Sequence, residues 1–173
     1  MLAIVDLEAT CWNERNGYQS EIIEIGAVKY DPMKREVVSQ FQSFVRPTIH
    51  PELSEFCTEL TSIKQSDLIG SHTFDSVYNQ FVKWFGNPNK NILASWGFYD
   101  KRMLEDECRR YGLPWKLGND HMNMKRLYQE LTGCKRAGLD FAVKEQGLEF
   151  VGTHHRAMWD AFNVANVIGK VLK

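Results

Sequence analysis

Hydrophobic and polar positions along this chain mark its elements one after another. Leu2 to Thr10 opens on a short apolar run rich in Ile and Val, the pattern of a buried strand. Cys11 to Ser20 is polar and contains Asn16-Gly17, which predicts a loop. Glu21 to Tyr30 reads as a second strand, ended by Asp31-Pro32. Glu36 to Val45 alternates imperfectly and predicts a third strand, stopped by Arg46-Pro47. Short links join these three, so an antiparallel meander is expected. The period then changes. Pro51 to Thr58 predicts a short helix with Pro in its first turn, and Ser66 to Ile69 a further turn. Thr73 is the expected N-cap of a helix to Phe85, where Phe74, Val77, Tyr78, Phe81, Val82 and Phe85 form a helical stripe. Asn91 to Trp96 predicts a fourth strand, paired parallel to the first, and Phe98 to Tyr111 a helix closed by Gly112. His121 to Met124 predicts a short fifth strand. Helices follow over Lys125 to Leu131, Leu139 to Gln146 and His155 to Leu172. The sum is an α/β fold, a mixed sheet of about five strands flanked by helices.

Length and composition narrow the setting. A chain of 173 residues fits one domain over 1–173 with a substantial core. No run is long and apolar enough to span a membrane. A signal peptide is not expected, because Asp6 and Glu8 interrupt its apolar stretch. Cys11, Cys57, Cys108 and Cys134 are scattered without a Cys-x-x-Cys pair, which predicts reduced thiols and a cytoplasmic protein. The net charge of −1 argues against gripping long duplex by charge alone. The basic pairs Lys101-Arg102, Arg109-Arg110, Lys125-Arg126 and Lys135-Arg136 read as solvated helix faces.

The candidate chemistry begins with Asp6 and Glu8. Residues two apart in a strand share a face, so a buried strand would carry two carboxylates side by side. They would repel and lose solvation unless a cation joined them. Asp100, just past the fourth strand, and Asp160, in the last helix, complete a set of four acids. In open α/β sheets, sites form at the carboxyl ends of strands, where Asp6, Glu8 and Asp100 fall. Four oxygen ligands suit two divalent cations, Mg²⁺ or Mn²⁺, which serve phosphodiester cleavage. His155 lies five residues before Asp160, and a histidine near its ordinary pKa can take a proton from an attacking water. Singly, Asp100 reads as a helix N-terminal acid, Asp160 as an exposed or salt-bridged helix residue, and His154 and His155 as cap histidines. Asp6 with Glu8 is the pair that an ordinary structural role does not explain.

These residues sit in ordered motifs: Asp6-Leu7-Glu8-Ala9-Thr10-Cys11, Glu21-Ile22-Ile23-Glu24-Ile25-Gly26-Ala27, Phe56 to Ile63, Trp96-Gly97-Phe98-Tyr99-Asp100, and His155 to Ala165. Together they resemble the DEDDh 3′–5′ exonucleases, and most closely the Eri-like and KapD-like subgroup. The resemblance covers nearly the whole chain and implies an RNase H-like fold. It implies that Asp6, Glu8, Asp100 and Asp160 bind metal, with Glu8 and His155 in the catalytic machinery and His155 as general base. It also implies that the backbone at Ala9 and Thr10 meets the terminal 3′-hydroxyl, and that Leu60, Thr61 and Ile63 lie near the last base. Phe98, Tyr99 and Trp12 are stacking candidates, with ordinary packing as the competing role, and His154 is a candidate phosphate contact. Glu24 reads as a strand-packing acid outside the quartet. The chain departs from the pattern at Trp159, commonly acidic, and Phe162, commonly basic, which bears on the surface of the last helix. The implied activity is metal-dependent removal of nucleoside 5′-monophosphates from single-stranded 3′ ends, RNA before DNA. The competing expectations are a non-catalytic nucleic-acid-binding module on the same fold and a DNA proofreading exonuclease. A domain with no basic tail is expected to depend on a protein partner that delivers the strand.

Overall fold

The computed structural model describes residues 1–14, 17–136 and 138–172. Its centre is β1 (Leu2–Ala9), hydrogen-bonded on both sides. β2 (Ile22–Asp31) and β3 (Glu36–Phe44) extend from it as the antiparallel meander. The turn between them is organised by Asp31, whose Oδ1 accepts from the N–H of Met33 and of Lys34. On the other side β4 (Ile92–Ser95) pairs parallel to β1, and β5 (His121–Asn123) parallel to β4. The order is β3-β2-β1-β4-β5. A parallel pair needs a long crossover, and α1 (Glu55–Thr61), α2 (Gln65–Leu68) and α3 (Phe74–Phe85) supply it. α4 (Tyr99–Arg110), α5 (Met124–Thr132), α6 (Leu139–Glu145) and α7 (Ala157–Val171) complete the chain.

Alternation along β1 sorts the core into two layers. Leu2 and Ile4 face a cluster with Tyr128 of α5, Ala142 of α6 and Val164 and Ile168 of α7. Ala3, Val5 and Leu7 face the other cluster, with Phe74, Phe81 and Phe85 of α3 and Leu104 of α4. Asp6 and Glu8 continue the face of Leu2 and Ile4, so they point toward the α7 side.

Two expected helix starts shift, and one expected cap bonds differently. The helix expected from Pro51 starts at Glu55, because the Ser54 hydroxyl caps it by accepting from the Cys57 N–H at 3.0 Å. Thr73 precedes α3, but its hydroxyl donates to the Asp75 carboxylate instead of capping the backbone. The last helix starts at Ala157, not His155, because His155 adopts φ +60°, outside the helical region. Of the expected Asn16-Gly17 turn, Asn16 lies outside the described residues. All four cysteines are free thiols. Among the described residues no helix is long and apolar enough to cross a membrane.

Candidate active site

The two parallel central strands end side by side, and the chain places its acids there. Asp6 and Glu8 sit on the last half of β1. Asp100 follows β4 in the first turn of α4. Asp160 lies in the first turn of α7, and His155 just ahead of it. All five line one cleft of about 260 Å³, together with Leu7, Trp96, Tyr99 and Leu139. One carboxylate oxygen each from Asp6, Glu8 and Asp160 lie within 4.8 Å of one another. One ligating atom each from His154, His155 and Asp160 do so as well.

Burial sets the electrostatics. Glu8, Asp100 and Asp160 are each more than nine-tenths buried. Burial, then the charges of Asp100, Asp160 and Glu8, holds Asp6 well above the carboxylate range. Burial and the neighbouring Asp160 push Glu8 up to about 8. Burial raises Asp100 to about 6. It raises Asp160 to about 7, although the His155 N–H donates to Asp160 Oδ2 at 3.2 Å. Asp160 Oδ1 is buried with no hydrogen-bond partner. Buried acids that resist ionising, one with an orphaned oxygen, form an all-oxygen donor set that fits hard divalent cations. His155 is shifted the other way. Burial, then the adjacent His154, lowers its pKa, which keeps the imidazole neutral and able to accept a proton. The two histidine rings stack with centroids 4.0 Å apart.

The loop before α7 is fastened along its length. Asn163 accepts from the Val151 N–H at 3.0 Å and donates to its carbonyl at 2.8 Å. Trp159, one of the departures, lays its ring over Gly152, where an added Cβ would come within 2.3 Å of it. Phe162, the other, meets Trp159 edge-on.

The expected substrate residues are distributed more widely. Tyr99 lines the cleft and Phe98 stands beside it, both about half exposed, with Phe98 against the His121 ring at 5.4 Å. Ala9 ends β1, and its carbonyl accepts from the Cys57 thiol at 3.6 Å. Thr10 is buried, its hydroxyl accepting from the Glu21 N–H at 2.9 Å. Leu60 is partly exposed on α1. Thr61 and Ile63 are buried: the Thr61 hydroxyl accepts from the Ile63 N–H, and Ile63 packs with Ile23, Cys57 and Leu68. Trp12 sits apart, edge-on to Tyr18 and His50, in a second cleft with Phe56 and three glutamates.

Leu7, Trp96, Leu139 and Glu24 border the cleft without having been assigned to it. Trp96 and Leu139 form its walls. Glu24, opposite Glu8 in the β1–β2 register, is fully buried and bonded to Arg156. Its alternation with Gly26 on the α7 side of β2 was the one sequence signal available for it.

A mixed five-stranded sheet with carboxylates gathered where its central strands end defines an RNase H-like fold of the nuclease type. The sequence profile of the exonuclease family, RNase T, matches residues 3–168. The chain belongs to this family and is an Eri-like DEDDh member of it. It is 33% identical over 196 residues to human ERI1 exoribonuclease 2, covering 99% of this chain and 28% of that protein. It is 33% identical over 174 residues to human ERI1 exoribonuclease 3, covering 95% of this chain and 51% of that one. The chain thus spans between about a quarter and a half of these relatives. Among solved structures, the nuclease domain of 3′hExo, a DEDDh family member bound to rAMP, superposes with a TM-score of 0.92 at 26% identity, over 99% of this chain and 90% of that one. Membership in this family implies dependence on divalent metal.

Proposed function

We propose that this chain is a 3′–5′ exonuclease acting on single-stranded 3′ ends, RNA before DNA, with two divalent cations, Mg²⁺ or Mn²⁺. The observation that carries the reading is the convergence of four acids, three of them buried, and one histidine in one cleft, with Asp160 Oδ1 left without a partner. The relatives' names, exoribonucleases, and the rAMP bound to 3′hExo support the choice of RNA. Asp6, Glu8, Asp100 and Asp160 would hold the cations. Bound there, the cations supply positive charge against the phosphodiester oxygens and the developing negative charge.

The chain's own groups do the rest. His155, neutral because it is partly buried, takes a proton from the water that attacks phosphorus. The P–O bond to the 3′-oxygen of the preceding nucleotide breaks, that oxygen gains a proton, and the released nucleotide keeps its 5′-phosphate. Burial of the cleft strengthens each of these interactions. Tyr99 and Phe98 offer exposed aromatic faces to a base. Leu60 offers an apolar contact, with Thr61 and Ile63 as the packed support behind it. The backbone at Ala9 and Thr10, fixed by Glu21 and Cys57, receives the terminal 3′-hydroxyl. Trp12 would meet the strand farther along. Free thiols at all four cysteines fit a reducing compartment such as the cytoplasm.

The test is a time course on 5′-labelled single-stranded RNA and its DNA counterpart, with Mg²⁺, Mn²⁺ or EDTA. A ladder shortening from the 3′ end, lost in EDTA and lost in Asp160→Asn, is the expected result. An intact substrate under every metal condition, from folded protein that still binds the strand, would replace the enzyme with a binding module.

A further inference from the structure

β2 carries a carboxylate for which the hydrolytic chemistry has no use. Glu24 is fully buried and stands opposite Glu8, on the face that holds Asp6 and Glu8. A buried carboxylate beside two others is costly unless it is paired and hydrogen-bonded. Most of its partners come from one place, the start of α7. Glu24 Oε2 accepts from Arg156 Nε at 3.1 Å and from the Ala157 N–H at 3.2 Å. Glu24 Oε1 accepts from Arg156 Nη2 at 3.1 Å and from Gln42 Nε2 at 2.5 Å. The guanidinium is therefore gripped by both oxygens, the geometry that adds direction as well as strength.

Two residues along β2, at Gly26, strand and helix backbones touch. An added Cβ there would lie 2.1 Å from the Met158 nitrogen. Gly26 sets the height of the first turn of α7 over the sheet, and Glu24 sets its rotation. His155 immediately precedes Arg156. Its φ of +60° is a conformation that a residue with a side chain keeps only where its surroundings enforce it.

We propose that Glu24 and Arg156 form a positioning pair for His155, in which the Glu24 carboxylate anchors Arg156 and so fixes the left-handed turn that aims the imidazole into the cleft. The inference deepens the exonuclease reading and rests on it. Neither residue touches the reacting atoms; both act through the base. Glu24 also explains itself as a fifth acid at the cleft whose oxygens are already taken by the protein.

The experiment compares kcat and KM on a short single-stranded RNA at saturating Mg²⁺ for wild type, Arg156→Met, Glu24→Gln, His155→Ala and the double variant His155→Ala/Arg156→Met. Each is assayed well below its thermal midpoint. Misplacing a catalytic group by about 1 Å can cost on the order of 100-fold. Arg156→Met and Glu24→Gln are expected to lower kcat at least ~10-fold, with KM within about twofold. Arg156→Lys, which keeps the charge and loses the fork, recovers only part of the rate. With His155 already removed, Arg156→Met should lower kcat by less than about twofold more. Should Arg156→Met fail to fold with Glu24 left unpaired, the double variant Glu24→Gln/Arg156→Met takes its place throughout. A kcat within twofold of wild type in the folded variants would overturn the pairing. So would an undiminished loss when Arg156→Met is added to His155→Ala. Full activity of His155→Ala alone would overturn the general-base reading itself, a result distinct from either.

Discussion

Metal-free protein should lose stability as pH rises through neutrality, the reverse of the usual behaviour of carboxylates. Glu8 keeps its proton up to about 8 in the folded chain and gives it up near the ordinary 4.5 when unfolded. Between those values the folded state binds more protons, so the stability from this group is complete below the unfolded pKa and drains away up to the folded one. From pH 6 to pH 8 the loss from Glu8 is about 2 kcal/mol, and Asp160, raised to about 7, adds about 1 kcal/mol. For a chain of this size that is roughly 6–12 °C in thermal midpoint. The assay is thermal unfolding in EDTA across that range, for wild type and Glu8→Gln, then repeated with Mg²⁺. Glu8→Gln should flatten the slope by about its own share, ~2 kcal/mol. Mg²⁺ should restore stability most at pH 8, because binding requires the ionised acids and releases their protons. Identical slopes for wild type and Glu8→Gln, or a Mg²⁺ effect no larger at pH 8 than at pH 6, would refute the reasoning.

Two further outcomes follow from the packing around the cleft. Gly26→Ala drives a methyl into the backbone at Ala157 and Met158, which no rotamer change relieves, so a loss of at least ~1–3 kcal/mol is expected; an unchanged thermal midpoint would contradict the contact. Burial would push Glu21 up, but N–H groups of Thr48, His50 and Ile49 and the Arg110 charge outweigh it and leave its pKa below the ordinary value. Its stability is present above the unfolded pKa and lost as pH falls through the folded one, so Glu21→Gln should cost about 1–3 kcal/mol at pH 7 and less below pH 4, and a gap that stays constant with pH would refute it.

Much of the fold was legible because it depends on local pattern. β1 and β2 are mostly apolar runs rich in Ile and Val, and the meander and the parallel β4 follow from link lengths. Asp6 and Glu8 could be placed on one face from the two-residue period alone. Asp100 and Asp160 were candidates for a four-acid set from the start, but only the ordered motifs lifted them above the ordinary roles of helix N-terminal or salt-bridged acids. Glu24 was legible as a strand-packing acid, but its pairing with Arg156 was not, because Arg156 and Ala157 lie 132 and 133 residues away and only the packing of α7 on β2 brings them near. The start of α7 was misjudged for a related reason: the bonds that hold Arg156 and turn His155 left-handed are tertiary. Pro51 is a sound helix-start signal, overridden when the Ser54 hydroxyl found the Cys57 N–H. Trp96 and Leu139 flank the cleft from two separate segments, a convergence that no spacing encodes.

The sheet order also governs when the site can come into being. Within this stretch the ribosome makes β1 first and α7 last, and β1 must wait for β4 on one side and α7 on its face. Asp6 and Glu8 therefore emerge long before Asp160 and His155, which depend for their placement on strands already made. A nascent chain that stops short of α7 lacks Asp160 altogether. A growing chain thus gathers Asp6, Glu8, Asp100, His155 and Asp160 into one cleft only once the segment carrying α7 has cleared the exit tunnel.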